Sequence, residues 1–260
     1  MTVGEIAGAL ERDGIAVVRG LLPPRRCADL LAVVRRMQAR PGPFHRRLSP
    51  EGEPALHSDL FRFRDVPEIA DLVRGGPLPD LARAVFGAGA VVLEDQWFAS
   101  AAGASTPSPW HQDDPYHPLD RPFLTIWLPL TPVPGASALK GVVGSHLGAV
   151  YAPVEFSATE ATLGGTAGYR LEPVPDVDAT RGRSRCSCRT SSRATRSCWT
   201  RAPARGGRLL RHRLRPALDP LRASRDPLPA AAWAVASFWD DHEWSAGDLL
   251  ASARFPMVTG

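Results

Sequence analysis

Lysine is almost missing from this chain: Lys140 stands alone among 31 basic residues. Cysteine is scarce too, with four in 260 residues. A disulfide framework does not suit a chain of this size without an export signal. No stretch approaches the roughly 18 consecutive apolar residues of a membrane span. The amino terminus, MTVGEIAGALERDG, has no basic segment followed by an apolar run, so a secretory signal is not expected and a cytoplasmic location is. Internal repeats are lacking. With 44% apolar residues, the chain is expected to form a single domain with a real core.

Acidic residues are missing from one region only. Residues 181–225 hold 14 Arg and a single acid, Asp219. Without them the chain has 17 basic and 26 acidic residues, a net charge of −9 against +4 for the whole. Most of the protein therefore has no phosphate-seeking character, and neither nucleic acid nor membrane is an expected partner. Three of the four cysteines, Cys186, Cys188 and Cys198, fall in the same block. They lack the paired C-x-x-C spacing and the fourth ligand of a structural zinc site.

The ordinary part of the sequence begins with helices. EIAGALERDG carries Ile6 and Leu10 four apart and closes at Gly14. IAVVRGLL is a short β-branched run. PPRRCADLLAVVRRMQARPG opens with proline, presents Leu30, Leu31 and Val34 on one face, and stops at Pro41-Gly42. PEIADLVRG and LPDLARAVFG predict two more short helices. From Ala90 the texture changes to strands, with AVVLEDQWFAS and FLTIWLPLTPV. Helices first and strands after predict a mainly β protein, a sandwich or barrel with flanking helices. Alternation in FLTIWLPL puts Leu124, Ile126, Leu128 and Leu130 on one face, with Thr125 and Trp127 on the other. Thr125 and Trp127 could line a pocket, or Trp127 could be core.

The stretch with chemistry in it is TPSPWHQDDPYHP, residues 106–118. On an extended segment His111 and Asp113 project to one side. An imidazole and a carboxylate so placed can bind one metal ion at adjacent positions. With a second histidine from a distant strand they would complete a 2-His-1-carboxylate triad, which leaves positions open on Fe(II). Alone, an H-x-D pair is also compatible with a surface turn. Asp114 and His117 read as decoration of the loop that follows. His146, in GSH, reads as a turn or cap hydrogen-bonder rather than a metal ligand. Asp240, Asp241 and His242 in FWDDHEW read as a solvated acidic face.

WHQDDPYHP, followed by LTIWLPLTPV and then GVVGSHLG, resembles the phytanoyl-CoA dioxygenase family of Fe(II)/2-oxoglutarate oxygenases. The likeness runs from RDGIAVVRGLL through EDQWF to GSHLG, about residues 12–155. It implies a double-stranded β-helix, the cupin-like jelly roll, with His111 and Asp113 as two iron ligands. It places Trp127, at the W-x-x-L position, beside the 2-oxoglutarate pocket, and points Gln96 toward the same cavity. The implied cofactor is Fe(II), the co-substrates 2-oxoglutarate and O₂, and the prime substrate a small organic molecule. The protein is expected as a monomer or weak homodimer. Asp113 argues against a halogenase variant, whose metal strand gives up the carboxylate to leave room for halide. One departure is plain: many members carry a lysine shortly after the strand matching EDQWF, where this chain has FASAAG, with Ser100 near the place.

After GSH the family pattern calls for a Gly-Asp strand, then a His-Gly supplying the third iron ligand, then an arginine about ten residues on. Arginine suits that last task because its planar fork binds a carboxylate bidentately. The Arg- and Cys-rich block stands there instead. Arg, Ala, Pro and Gly dominate the chain and have GC-rich codons, and such genes yield Arg, Ser, Cys and Thr when read out of frame. Joining each third base to the next two bases across SSRATRSCWT, residues 191–200, permits E-P-G-D-A-V-L-L-D-A. Shifting the other way across residues 201–222 permits L-H-G-A-G-D-Y-S-G-I-D-F-G-R-R-W-T-R-Y, with the histidine at the place of Ala204. Both missing motifs emerge in order. The expected organisation is thus a helical part (1–89), a β-helix core with the metal strand (90–179), a frameshifted segment (180–232) interrupting the C-terminal strands, and a tail (233–260). An authentic divergent insertion is the alternative reading of the block. In that case the literal chain is an impaired or non-catalytic β-helix protein, since His212 is a poor substitute for the third ligand.

Overall fold

The structure is a computed structural model that describes residues 2–86, 90–102, 108–116, 123–133, 139–154, 171–179 and 196–201. Helix α1 (Val3–Asp13) starts two residues before the apolar spacing predicts, because Thr2 and Glu5 form a capping box. Thr2 Oγ1 accepts from Glu5 N, and Glu5 Oε2 accepts from Thr2 N at 2.6 Å, which satisfies two otherwise orphaned donors. The helix ends at Gly14, whose left-handed backbone (φ 73°) lets its N–H return to Leu10 O. Strand β1 (Ile15–Arg19) follows, then α2 (Pro24–Ala39), which has proline in its first turn and stops one residue short of Pro41.

A hairpin that hydrophobic periodicity does not announce comes next, β2 (Arg46–Arg47) with β3 (Leu56–Leu60). LHSDL hides its nature because polar side chains lie inward: Ser58 and Asp59 are both buried. Arg62 Nη1 donates to Asp59 Oδ2 at 2.9 Å, and Gly42 N donates to the same oxygen at 2.8 Å. A second carboxylate, Asp65, takes the other side of the guanidinium. These bonds raise the Arg62 pKa, those to Asp65 most. Phe61 makes the corner in a left-handed conformation (φ 60°), anchored by its N–H to Asp95 O and edge-on to Phe44. Helices α3 (Pro67–Arg74) and α4 (Pro77–Phe86) then lead to β4 (Gln96–Ser100), β5 (Leu124–Trp127) and β6 (Arg196–Arg201).

The strands form two three-stranded antiparallel sheets, in the orders β1-β6-β5 and β2-β3-β4. Two apolar clusters hold the helices to them. One joins Leu30, Val33, Val34 and Met37 of α2 to Leu60, Phe61, Ile69 and Trp97. The other joins Ile6, Ala9 and Leu10 of α1 to Ala16 and Val18 of β1 and Leu81 of α4. The apolar face of FLTIWLPL divides between them: Leu124 and Ile126 pack on the second, Leu128 and Leu130 on the first. The division follows from the strand ending at Trp127, ahead of Pro129, which cannot donate to a ladder.

Two arginines, Arg196 and Arg201, bound the central strand β6, which pairs with β1 through Ile15↔Thr200 and with β5 through Thr125↔Thr200. It is the one piece of the Arg- and Cys-rich block among the described residues. Ala204, His212, Asp240, Asp241 and His242 lie outside them, as does His117. No helix among the described residues is long and apolar enough to cross a membrane.

Candidate metal centre

Prolines decide the local form of the H-x-D segment. Pro109 and Pro115 flank it and remove ladder donors, and residues 108–113 run as an irregular segment rather than the extended strand the spacing suggests. Side chains take over the anchoring. Gln112, between the two candidate ligands, donates from Nε2 to Ala149 O at 3.0 Å and accepts from Tyr151 N at 2.8 Å. Tyr116, at the end of the 3₁₀ turn Asp114–Tyr116, donates its hydroxyl proton to Val154 O at 2.6 Å and accepts from Val154 N at 2.8 Å. Trp110 Nε1 donates to Asp178 Oδ2 at 3.3 Å.

Held this way, His111 and Asp113 meet: His111 Nε2 lies 3.3 Å from Asp113 Oδ1, with 23% and 30% of their side-chain surfaces open to solvent. His111 Nδ1 lies 2.8 Å from Pro109 O. Only an N–H can bond to that carbonyl, so in the neutral ring the proton sits on Nδ1 and a bare lone pair on Nε2 faces the carboxylate oxygen. Two acceptors so close need a cation or a proton between them. Burial lowers the His111 pKa, but the hydrogen bond and charge of Asp113, together with Pro109 O, outweigh it and leave it raised. A divalent cation fits the same gap. Ligand atoms about 2.1 Å from a metal at right-angled positions are about 3 Å apart, and ligating histidines commonly donate their other N–H to a backbone carbonyl. Among the described residues no group of three or more His, Cys, Asp and Glu side chains could hold a metal ion.

Thr125 arrives from β5 and donates from Oγ1 to Asp113 Oδ2 at 2.7 Å. Strand alternation puts Trp127 on the same face as Thr125, where it is half-buried. Gln96, at the start of β4 in the other sheet, is exposed and gives its amide N–H to Ser58 Oγ at 2.9 Å. Three further residues were hidden from sequence reasoning. Gln112 and Tyr116 act through hydrogen bonds that no spacing encodes. Glu94 lies inside the quoted EDQWF motif, and its pKa is pushed up to about 8 by burial first and then by the charges of Asp113 and Asp95. Burial also pushes the Tyr116 hydroxyl up to about 12, with Asp113 adding to it.

GSH has a scaffold role. The turn Ser145–Leu147 sits against the end of α1: Gly144 N donates to Asp13 O at 2.8 Å, and His146 Nε2 lies 3.0 Å from Glu11 O. The expectation that His146 would hydrogen-bond a turn or cap agrees with this contact at the carbonyl end of a helix.

The sequence profile of the phytanoyl-CoA dioxygenase (PhyH) family matches residues 10–182. The chain belongs to the phytanoyl-CoA dioxygenase family. Members of that family are 2-oxoglutarate-dependent non-haem iron enzymes that use Fe(II), 2-oxoglutarate and O₂. No curated protein sequence matches this PhyH-family chain. Its fold is similar to that of solved non-haem iron enzymes of nogalamycin biosynthesis. One is the α-ketoglutarate-dependent carbocyclase SnoK, at 16% identity and TM-score 0.63, over 100% of this chain and 99% of SnoK. Another is the epimerase SnoN, solved with Fe³⁺, α-ketoglutarate and nogalamycin RO, at 18% identity and TM-score 0.60, over 99% and 98%. The family profile stops at residue 182, where the Arg- and Cys-rich block begins.

Proposed function

We propose that this family member hydroxylates a small organic molecule on a double-stranded β-helix scaffold, with His111 and Asp113 as two of its three iron ligands. The observation that carries the reading is the approach of His111 Nε2 to Asp113 Oδ1 at 3.3 Å, with His111 Nδ1 2.8 Å from Pro109 O. Bound iron, with 2-oxoglutarate and O₂, supplies the oxidising chemistry, 2-oxoglutarate being decarboxylated to succinate. His111 and Asp113 would hold the ion through Nε2 and Oδ1. Trp127, on the Thr125 face of β5, would wall the co-substrate side, while the tie of the exposed Gln96 to Ser58 in the other sheet leaves its expected place at that cavity without support.

The third ligand and the carboxylate-binding arginine belong, on this reading, to the out-of-frame words across residues 180–232. The position of β6 supports this. A strand paired on both edges favours apolar, β-branched residues. RSCWTR fits that place poorly, while the alternative words A-V-L-L overlie it. The restored protein is expected to bind one Fe(II) per chain and to form succinate from 2-oxoglutarate. His111→Ala and Asp113→Ala should each reduce succinate to background. Restored protein that turns over equally well with either substitution would refute the assignment.

A second reading has one observation in its favour. The family profile ends before the positions of the third ligand and the arginine, so the literal chain is a β-helix protein with half a metal site. It predicts weak or absent turnover by the literal chain, since losing a ligand and the co-substrate anchor removes both geometry and positioning.

A further inference from the structure

We infer that Thr125 is a positioning residue for the metal centre: its hydroxyl holds Asp113 Oδ2, so that Asp113 presents Oδ1 alone beside His111 Nε2. The inference rests on the reading of His111 and Asp113 as metal ligands. Thr125 Oγ1 donates to Asp113 Oδ2 at 2.7 Å, while the other carboxylate oxygen lies 3.3 Å from His111 Nε2. The carboxylate can rotate about its own bond, and without a fixed partner both oxygens are free to turn toward a cation. A strong hydrogen bond to one oxygen makes the other the ligand, which favours monodentate over bidentate binding and keeps a coordination position free for a co-substrate.

The donor stands on a rigid element. Thr125 lies within β5, paired across to Thr200 of β6, whereas Asp113 lies on an irregular segment anchored through the side chains of Gln112 and Tyr116. The hydroxyl therefore ties the irregular metal-binding segment to the sheet at the point where the ligand geometry is set. The β-branched methyl of threonine suits the strand, so the hydroxyl is the group that sets this residue apart from valine there.

The test compares the unmutated full chain, Thr125→Val and Thr125→Ser by titration with Co(II), followed by the visible Co(II) absorption and by thermal unfolding of the metal-free proteins. Thr125→Val keeps the shape and loses the donor. It should bind Co(II) about tenfold more weakly or worse, the usual cost of losing an outer partner of a ligand, with an altered absorption band. Thr125→Ser should restore both affinity and band. Thr125→Ala repeats the comparison if valine prevents folding. Hydroxyl-less variants that bind Co(II) as the unmutated chain does, with only the metal-free unfolding temperature lowered, would assign Thr125 a purely structural role and overturn the inference. An unmutated chain that binds no Co(II) overturns the role of Thr125 in this chain, whereas His111 and Asp113 as ligands are tested separately by succinate formation in the restored protein.

Discussion

Burial, with the charges of Asp113 and Asp95, pushes the Glu94 carboxyl up to about 8, against an ordinary value of 4.5. A raised carboxyl pKa means that the folded state binds the proton more tightly than the unfolded state. The resulting stability is complete below about 4.5 and is lost as pH rises toward 8. Glu94→Gln, which cannot ionise, should therefore gain stability relative to the parent as pH rises through that window. Melting temperatures of both proteins at three pH values, metal-free, check this; a difference that does not change with pH would show that the fold does not raise the Glu94 pKa. Arg62 offers a second test at this scale. Asp59 and the Arg62 side chain are 0% and 6% exposed, so Arg62→Met strands a buried carboxylate. The expected loss is about 3–5 kcal/mol, read by denaturant unfolding. The meeting of His111 with Asp113 follows from their spacing and could be read in the sequence. Residues that act through a fold-dependent neighbour, such as Glu94 against Asp113 or Gln112 against Ala149 and Tyr151, could not.

The elements were most legible where local chemistry is sufficient. Helices α1 to α4 follow apolar spacing, with proline in the first turn of α2, α3 and α4 and glycine closing α1 and α3, and the Thr2–Glu5 box moves the start of α1. The β2–β3 hairpin was hidden because its inward residues are Ser58 and Asp59, paired through Arg62 and Gln96, and a polar interior defeats a reading based on hydrophobicity. The H-x-D segment is irregular rather than extended because Pro109 and Pro115 remove ladder donors there, yet His111 and Asp113 still meet. At this scale the docking of GSH on α1 is testable. A Cβ at Gly14 would overlap His146 Nδ1, and the residue has φ 73°. Gly14→Ala should destabilise the protein by about 1–3 kcal/mol. Adding His146→Ala should recover the steric part while the left-handed strain of about 1 kcal/mol persists, and thermal unfolding of the single and double variants separates the two.

Across the whole molecule, a family match over residues 10–182 coexists with a fold likeness that spans 99–100% of the chain. Sequence likeness stops where the Arg- and Cys-rich block starts, yet a strand still occupies the centre of the β1-β6-β5 sheet inside that block. Restoring the reading frame should raise the unfolding temperature as well as activity, because apolar words replace arginines in a strand paired on both edges. The most direct measurement is the DNA sequence of the source gene across codons 178–232. Small insertions or deletions are expected there, whose correction restores Gly-Asp, then His-Gly at the place of Ala204, then an arginine about twelve residues on. A gene that encodes residues 180–232 as they stand would contradict this, and would leave a family scaffold that carries half a metal site.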